Sequence, residues 1–387
     1  MVDSSKALSS WLFKEGLKSP DLESLTDGLM DVFERLGYPV DRLNVGCFIL
    51  HPELAGLAFQ RTTDGDELTV VQVRHEDLEQ DVYLKSPLQH AVREKRTLRW
   101  RLGQNLDSHF PFWDELKEEG FTDYLVLPMV GAHSRVHVIS LATKSKDGFS
   151  EEQWAVLDEF RASLALLVDI LAVHRLAEVL LQLYVGKQSG GRVLSGAVRR
   201  GQGKVVEAAV LFCDMNGFTG ICESLSERDT IQLLNGFFDR ICGPVAEEGG
   251  EILKFVGDAV FAIFPANVRP VEEACRAAIL AAKKGREALL AGPIVFGRDQ
   301  SIWVSAGIGL HVGQFHYGNI GTSSRLDFTA IGDAINVASR VESMCAHVER
   351  SILATQVFVD LAGAEGKRLG NFPLKGVSEP VAIVALD

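Results

Sequence analysis

The chain has 387 residues, enough for two or three domains at about 150 residues each. Acidic residues outnumber basic ones, 52 against 39; the net charge of −13 excludes a general nucleic-acid-coating role, so no nucleic-acid partner is expected and any nucleotide must be gripped locally. A hydrophobic fraction of 47% with 24% charged residues excludes global disorder and low-complexity or collagen-like chains.

Cysteines stand at 47, 213, 222, 242, 275 and 345, with no CxxC pair and no cluster with His. That spacing argues against a zinc site or a disulfide framework and fits a reducing, cytoplasmic setting. The opening MVDSSKALSSWLFKEG is polar and carries Asp3, Lys6 and Lys14 around a short apolar patch, unlike a signal peptide. The most apolar window, 164–185, is broken by Asp169, His174, Arg175 and Glu178, so it reads as a long amphipathic helix and no transmembrane segment is expected.

In chain order, apolar residues at 22, 25, 29, 32, 33 and 36 predict a half-buried helix over 22–36. The β-rich runs NVGCFIL (44–50), LTVVQVR (68–74), YLVLPMV (124–130) and RVHVISLAT (135–143) follow. A further helix begins in GFSEEQWAVLDEF near 148 and continues to about 170, with Ser150 as N-cap. This order, closing on LVLPMVGAHSRVHVISLATKSKDGFSEEQWAVLDEF, resembles a GAF-type sensor domain over roughly 20–170. The resemblance implies an α/β sensor module (1–171) that binds a small-molecule ligand or dimerises. Cys47 beside His51 on an apolar strand reads as a packed core residue rather than a chromophore or haem site. Residues 172–204 contain a helix and then GKQSGGRVLSGAVRRGQGK, which reads as a linker, either plainly solvated or coupling the two modules.

Residues 205–387 carry the chemistry. VVEAAVLFCDMNGFTG is an apolar strand that ends at Asp214 and runs into a probable helix; a carboxylate there can hold a cation while the free N–H groups of Asn216, Gly217 and Phe218 face an anion. GGEILKFVGDAVFAIF predicts a hairpin turning at Gly257 and Asp258. Strand, helix and hairpin in this order suggest a ferredoxin-like βαββαβ core that brings Asp258 to Asp214, although a lone G–D turn with a solvated Asp reads equally well. Paired carboxylates would suit divalent metal and phosphoryl or nucleotidyl transfer. A third segment, SIWVSAGIGLHVGQFHYGNIGTSSRLDFTAIGDAINVASRVESM, reads as a strand, a Gly-rich hairpin and a helix presenting Asn336 and Arg340 on one face.

FCDMNGFT, KFVGDA, DFTAIGDAINVASR and FPLKG, in this order from about residue 192 onward, closely resemble the catalytic domain of class III nucleotidyl cyclases. The resemblance implies an α+β chain that converts ATP to 3′,5′-cyclic AMP at the interface of a homodimer. Asp214, Asp258 and the carbonyl of Met215 would hold two Mg²⁺ or Mn²⁺ ions per site, Arg340 would neutralise the α-phosphoryl oxygens, Asn336 would orient the ribose and Lys375 would meet the terminal phosphates. Lys254 and Thr329 form the base-reading pair, a donor and an acceptor that match adenine; guanine inverts the pattern. Thr329 stands where many members have Asp, and Phe328 replaces a common Tyr, a change expected to be structural. Two alternatives stay open, a degenerate nucleotide-binding module and a guanylyl cyclase; GGEIL at 249–253 also suggests a GGDEF-type cyclase, but DFTAIGDAINVASR fits only the class III pattern.

Overall fold

The computed structural model describes residues 2–49, 51–65, 67–102, 110, 112–132, 135–297 and 300–387. The chain is α+β and folds as two units, Met1–Leu180 and Leu181–Asp387. No helix among the described residues is long and apolar enough to cross a membrane.

The first unit contains α1 (Val2–Lys14), α2 (Leu22–Arg35), β1 (Arg42–Phe48), β2 (Leu54–Thr62), β3 (Thr69–Arg74), α3 (Asp81–Leu84), α4 (Pro87–Glu94), β4 (Leu98–Arg101), α5 (Phe112–Glu118), β5 (Asp123–Val130), β6 (Val136–Thr143) and the start of α6 (Glu151–Val185). Its strands form one antiparallel sheet in the order β3-β2-β1-β6-β5-β4. Strand β2 has no counterpart in the sequence expectations: LAGLAFQRT mixes small and polar residues, and its pairing with β1 along seven positions supplies what local preference does not. The apolar stripes of α2 and α6 cover one sheet face through Leu25, Leu29, Phe33, Phe160, Leu164 and Val168. Trp100, Trp113, Tyr124 and Val126 fill a second cluster. Cys47 is 3% exposed, its thiol pushed up to about 11 by burial, as a packed core residue should be. His51 Nδ1 instead accepts from the backbone N–H groups of Glu53 and Leu54 at 3.1 and 3.3 Å.

Ser150 caps α6 reciprocally: its Oγ accepts from the Gln153 N–H at 3.1 Å, and its own N–H donates to Gln153 Oε1 at 2.9 Å. The two helical windows expected over 148–170 and 164–185 merge into this one helix of 35 residues. The Gly-rich stretch read as linker is not all loop. Lys187–Leu194 forms α7, a helix that Ser189 anchors by a hydroxyl contact to the buried Tyr317. That buried side-chain contact offsets the poor helix propensity of two glycines.

The second unit continues with β7 (Gly203–Met215), α8 (Phe218–Cys222), α9 (Glu227–Glu247), β8 (Glu251–Val256), β9 (Ala259–Pro265), α10 (Val271–Leu290), the hairpin β10 (Ile294–Phe296) and β11 (Gln300–Ile302), β12 (Ala306–Gly321), β13 (Leu326–Ile331), α11 (Asp333–Ser343), α12 (Cys345–Val348), β14 (Ile352–Thr355), α13 (Gln356–Ala362), β15 (Lys367–Phe372) and β16 (Val381–Ala385). The sheet order is β15-β16-β14-β12-β7-β9-β8, with β13 paired to β12. Within it, β12-β7-β9-β8 with α9 and α10 as crossovers is the βαββαβ arrangement expected from the sequence. Helices α9, α10 and α13 bury Leu233, Phe237, Ile241, Ala278, Ala282 and Phe358 against one face. Helix α11 lies on the other, and its approach is set by glycine. In AGIGLHVG, Ile308, Leu310 and Val312 turn toward the α9/α10 core, while Gly307, Gly309 and Gly313 turn toward α11. A Cβ on Gly309 would collide with the Ala338 carbonyl and the Glu342 amide, and one on Gly313 would sit 2.9 Å from Ala334 Cβ.

Gly309→Ala should therefore cost about 1–3 kcal/mol of stability by forcing backbone apart. Gly292→Ala, where a Cβ meets nothing within 4 Å, should be near neutral. Thermal unfolding of the two variants checks this; equal melting temperatures would mean that α11 yields without resistance.

Candidate active site

Strand β7 delivers Asp214 at the penultimate position of a buried strand, and the β8–β9 turn delivers Asp258 beside it. Gly257 makes that turn with φ +65°, a left-handed conformation that suits glycine. Both carboxylates are half-buried. Burial first, and then the charge and hydrogen bond of Asp258, push the Asp214 carboxyl up to about 6.

A third acid lies beneath the pair. Glu342 of α11 is 8% exposed, with Oε1 close over Gly307, the residue that β12 sets opposite Asp214. Burial, then the charges of Asp214 and Asp258, push it up to about 7. Glu342 is not among the residues expected from the sequence; its signal there is an acid among the apolar positions 334, 337, 338 and 341.

Such crowding of half-buried oxygens is the donor set that a hard divalent cation takes, so Mg²⁺ or Mn²⁺ fits the residues present. No cluster of three or more His, Cys, Asp or Glu suited to a metal occurs among the described residues.

Beyond Asp214, the chain turns through Asn216 and Gly217, whose φ is +72°, into α8. The expectation that Asn216 offers a free amide needs correcting. Its N–H donates to the Ser305 carbonyl at 2.9 Å and its Nδ2 to Ser305 Oγ at 3.0 Å, tying β7 to the segment before β12. Gly217 and Phe218 retain main-chain N–H groups with no protein partner among the described hydrogen bonds.

Asn336 and Arg340 are both exposed on one face of α11, and Lys375 is exposed in the turn after β15. None of the three has an ion pair or side-chain hydrogen bond among the described residues. Lys254 is gathered elsewhere. From β8 its Nζ lies 3.4 Å from Thr329 Oγ1 and 2.7 Å from Asp327 Oδ2, both on β13. Between them Phe328 points inward, 8% exposed and edge-on to Tyr317 at 4.8 Å, the structural role expected of it.

Residues 202–382 match the family described as Adenylate and Guanylate cyclase catalytic domain. Adenylate cyclase 1 of Rhizobium meliloti is 36% identical over 156 residues, covering 40% of this chain and 23% of that protein. An adenylate cyclase of Anabaena cylindrica is 34% identical over 150 residues, covering 39% and 30% respectively. Among solved structures, the adenylyl cyclase CyaB from P. aeruginosa is 27% identical, with a TM-score of 0.42 over 48% of this chain and 96% of that one. Residues 202–382 thus carry the adenylate and guanylate cyclase catalytic domain. The matched segment spans less than a third of the length of these two relatives.

The Asp214 shift has a definite pH signature. Its pKa is higher folded than unfolded, so ionising it opposes folding; the penalty is absent below about pH 4 and complete above about pH 6. In metal-free protein, Asp258→Asn should raise the melting temperature at pH 7.5 by a few degrees, at about 2–4 °C per kcal/mol, and leave it nearly unchanged at pH 4. A lower melting temperature at pH 7.5 would contradict the repulsion argument.

Proposed function

We propose that this protein is an adenylyl cyclase that converts ATP to 3′,5′-cyclic AMP and pyrophosphate. The reading rests above all on one observation: two half-buried carboxylates from separate elements, Asp214 at a strand end and Asp258 in a tight turn, stand side by side. Mg²⁺ or Mn²⁺ held by Asp214, Asp258 and the Met215 carbonyl would supply Lewis-acid activation of the ribose 3′-hydroxyl and charge neutralisation on the triphosphate. The unpartnered amides of Gly217 and Phe218 face the phosphates, and Lys375 binds their terminal end. Arg340 stabilises charge growing on the α-phosphoryl oxygens, while Asn336 orients the ribose for in-line attack. Lys254 donates to adenine N1 and Thr329 accepts from the exocyclic amine.

Incubating the purified protein with ATP or GTP and Mn²⁺, and separating the products by chromatography, tests this directly; cyclic AMP should dominate. Lys254→Glu combined with Thr329→Cys should move the ratio of kcat/KM for ATP and GTP toward GTP by at least tenfold, because a carboxylate accepts from guanine N1–H and opposes adenine N1. An unchanged ratio would show that these side chains do not face the base.

The active form we propose is a homodimer in which Asp214 and Asp258 of one chain share a nucleotide with Lys254, Thr329, Asn336, Arg340 and Lys375 of the other. Two-fold pairing then generates both sites at once. Asp214→Ala and Arg340→Ala homodimers should each be nearly inactive, whereas their mixture should recover up to about a quarter of wild-type activity, since about half the dimers hold one intact site of two. Failure to recover after demonstrated subunit exchange would assign all catalytic groups to one chain.

The amino-terminal unit we read as a GAF-like sensor with a small-molecule ligand, and 172–204 as the segment that carries its state onward. Supporting this, Ser189 of α7 holds Tyr317, whose ring packs on Phe328 between Asp327 and Thr329, so a shift of α7 has a packed route to the base-reading strand.

A further inference from the structure

The base-reading pair has a third member that the reading above does not use. Strand β13 runs LDFTAI, and alternation along it turns Asp327 and Thr329 to one face while Phe328 is buried on the other. Register sets Asp327 opposite Ile320 and Thr329 opposite Gly318 on β12. Lys254 arrives from β8 and its ammonium meets both, at 2.7 Å from Asp327 Oδ2 and 3.4 Å from Thr329 Oγ1. The ion pair is 36% and 58% exposed on its two sides, a setting in which a salt bridge adds little to stability. Its effect is on geometry. A lysine head on four rotatable bonds sweeps a wide volume, and a short charge-assisted hydrogen bond confines it.

We infer that Asp327 is a positioning residue for substrate selection: by fixing the Lys254 ammonium beside Thr329, it aims one remaining N–H at the ring nitrogen N1 of an adenine. An ammonium has three N–H groups; Asp327 takes one and Thr329 a second, so one is left for the base. The Thr329 hydroxyl has two acceptor lone pairs, enough for Lys254 and for the exocyclic amine together. Donor and acceptor are then held side by side before the nucleotide arrives, and little ordering remains to oppose binding. The inference rests on the assignment of Lys254 and Thr329 to the base.

The test is a nucleotide series on the full-length protein: kcat/KM for ATP and for 1-deaza-ATP, which lacks the N1 acceptor and keeps the exocyclic amine. Wild-type protein should prefer ATP by about tenfold or more, the size of one hydrogen bond to a charged donor. Asp327→Ala should lose most of that preference, through a fall in kcat/KM for ATP while the 1-deaza-ATP value stays close to wild type. Asp327→Glu should restore part of it, and Lys254→Ala should abolish it. A purely structural role would lower both substrates equally and leave the ratio untouched, and that result overturns the inference. If wild type itself does not distinguish the two nucleotides, the assignment of Lys254 to adenine N1 fails and the inference with it. If wild type and Asp327→Ala distinguish them equally, only the role of Asp327 fails.

Discussion

The long antiparallel ladder between β7 and β12 is the constraint on which the catalytic unit depends. Its register runs without a break from Gly203 opposite Gly318 to Met215 opposite Ala306. One end of the ladder holds Asp214, and the other carries the β12–β13 hairpin with Asp327 and Thr329. Because side chains alternate with period two, a slip of one residue would turn Asp214 into the α9/α10 core and move Leu211 and Cys213 out of it. The buried pattern at Ala209, Leu211, Cys213 and Met215 on one strand and Ile308, Leu310 and Val312 on the other makes that slip costly, because a charged carboxylate would replace apolar side chains in a packed core.

A second constraint acts across the sheet. Glycines at 307, 309 and 313 remove side chains where α11 must pass, so backbone meets backbone and the helix sits at one height. Asn336 and Arg340 inherit their positions from that contact, since the opposite face of the same helix, through Ala334, Val337, Ala338 and Val341, is locked down. The same closeness brings Glu342 under Asp214. Three acids are concentrated in one place, and burial, followed by the charges of their neighbours, pushes Asp214 and Glu342 above the ordinary carboxylate range. Acids gathered at such a cost follow a common pattern of stability given up at a functional site.

The two polar clusters differ in how they are held. Asp214 and Asp258 are pinned by strand ends and a tight turn, with backbone defining their separation. Lys254, Asp327 and Thr329 are held by side chains reaching between β8 and β13 and by the packing of Phe328 on Tyr317. The first arrangement leaves little freedom for displacement; the second can give by rotation of its side chains.

Much of this was legible in the residues. Alternation and turn chemistry predicted β7, the β8–β9 hairpin at Gly257 and the helix bearing Asn336 and Arg340, because each is a local pattern with a local cause: period-two burial, a left-handed glycine, an i,i+4 face. The order of those elements implied the meeting of Asp214 and Asp258. By contrast, β2 is weakly marked because its stability comes from a partner strand, and α7 forms in a Gly-rich stretch because Ser189 reaches a tyrosine far along the chain. Tertiary structure alone decided that the Asn216 amide is spent on Ser305, that Glu342 lies beneath the carboxylate pair, and that Asp327 binds Lys254. Those three facts concern which polar groups find each other across the fold. A sequence specifies the periodicity of its own segments, whereas the partner of a polar side chain depends on distances that exist only once the sheet has closed and the helices have docked.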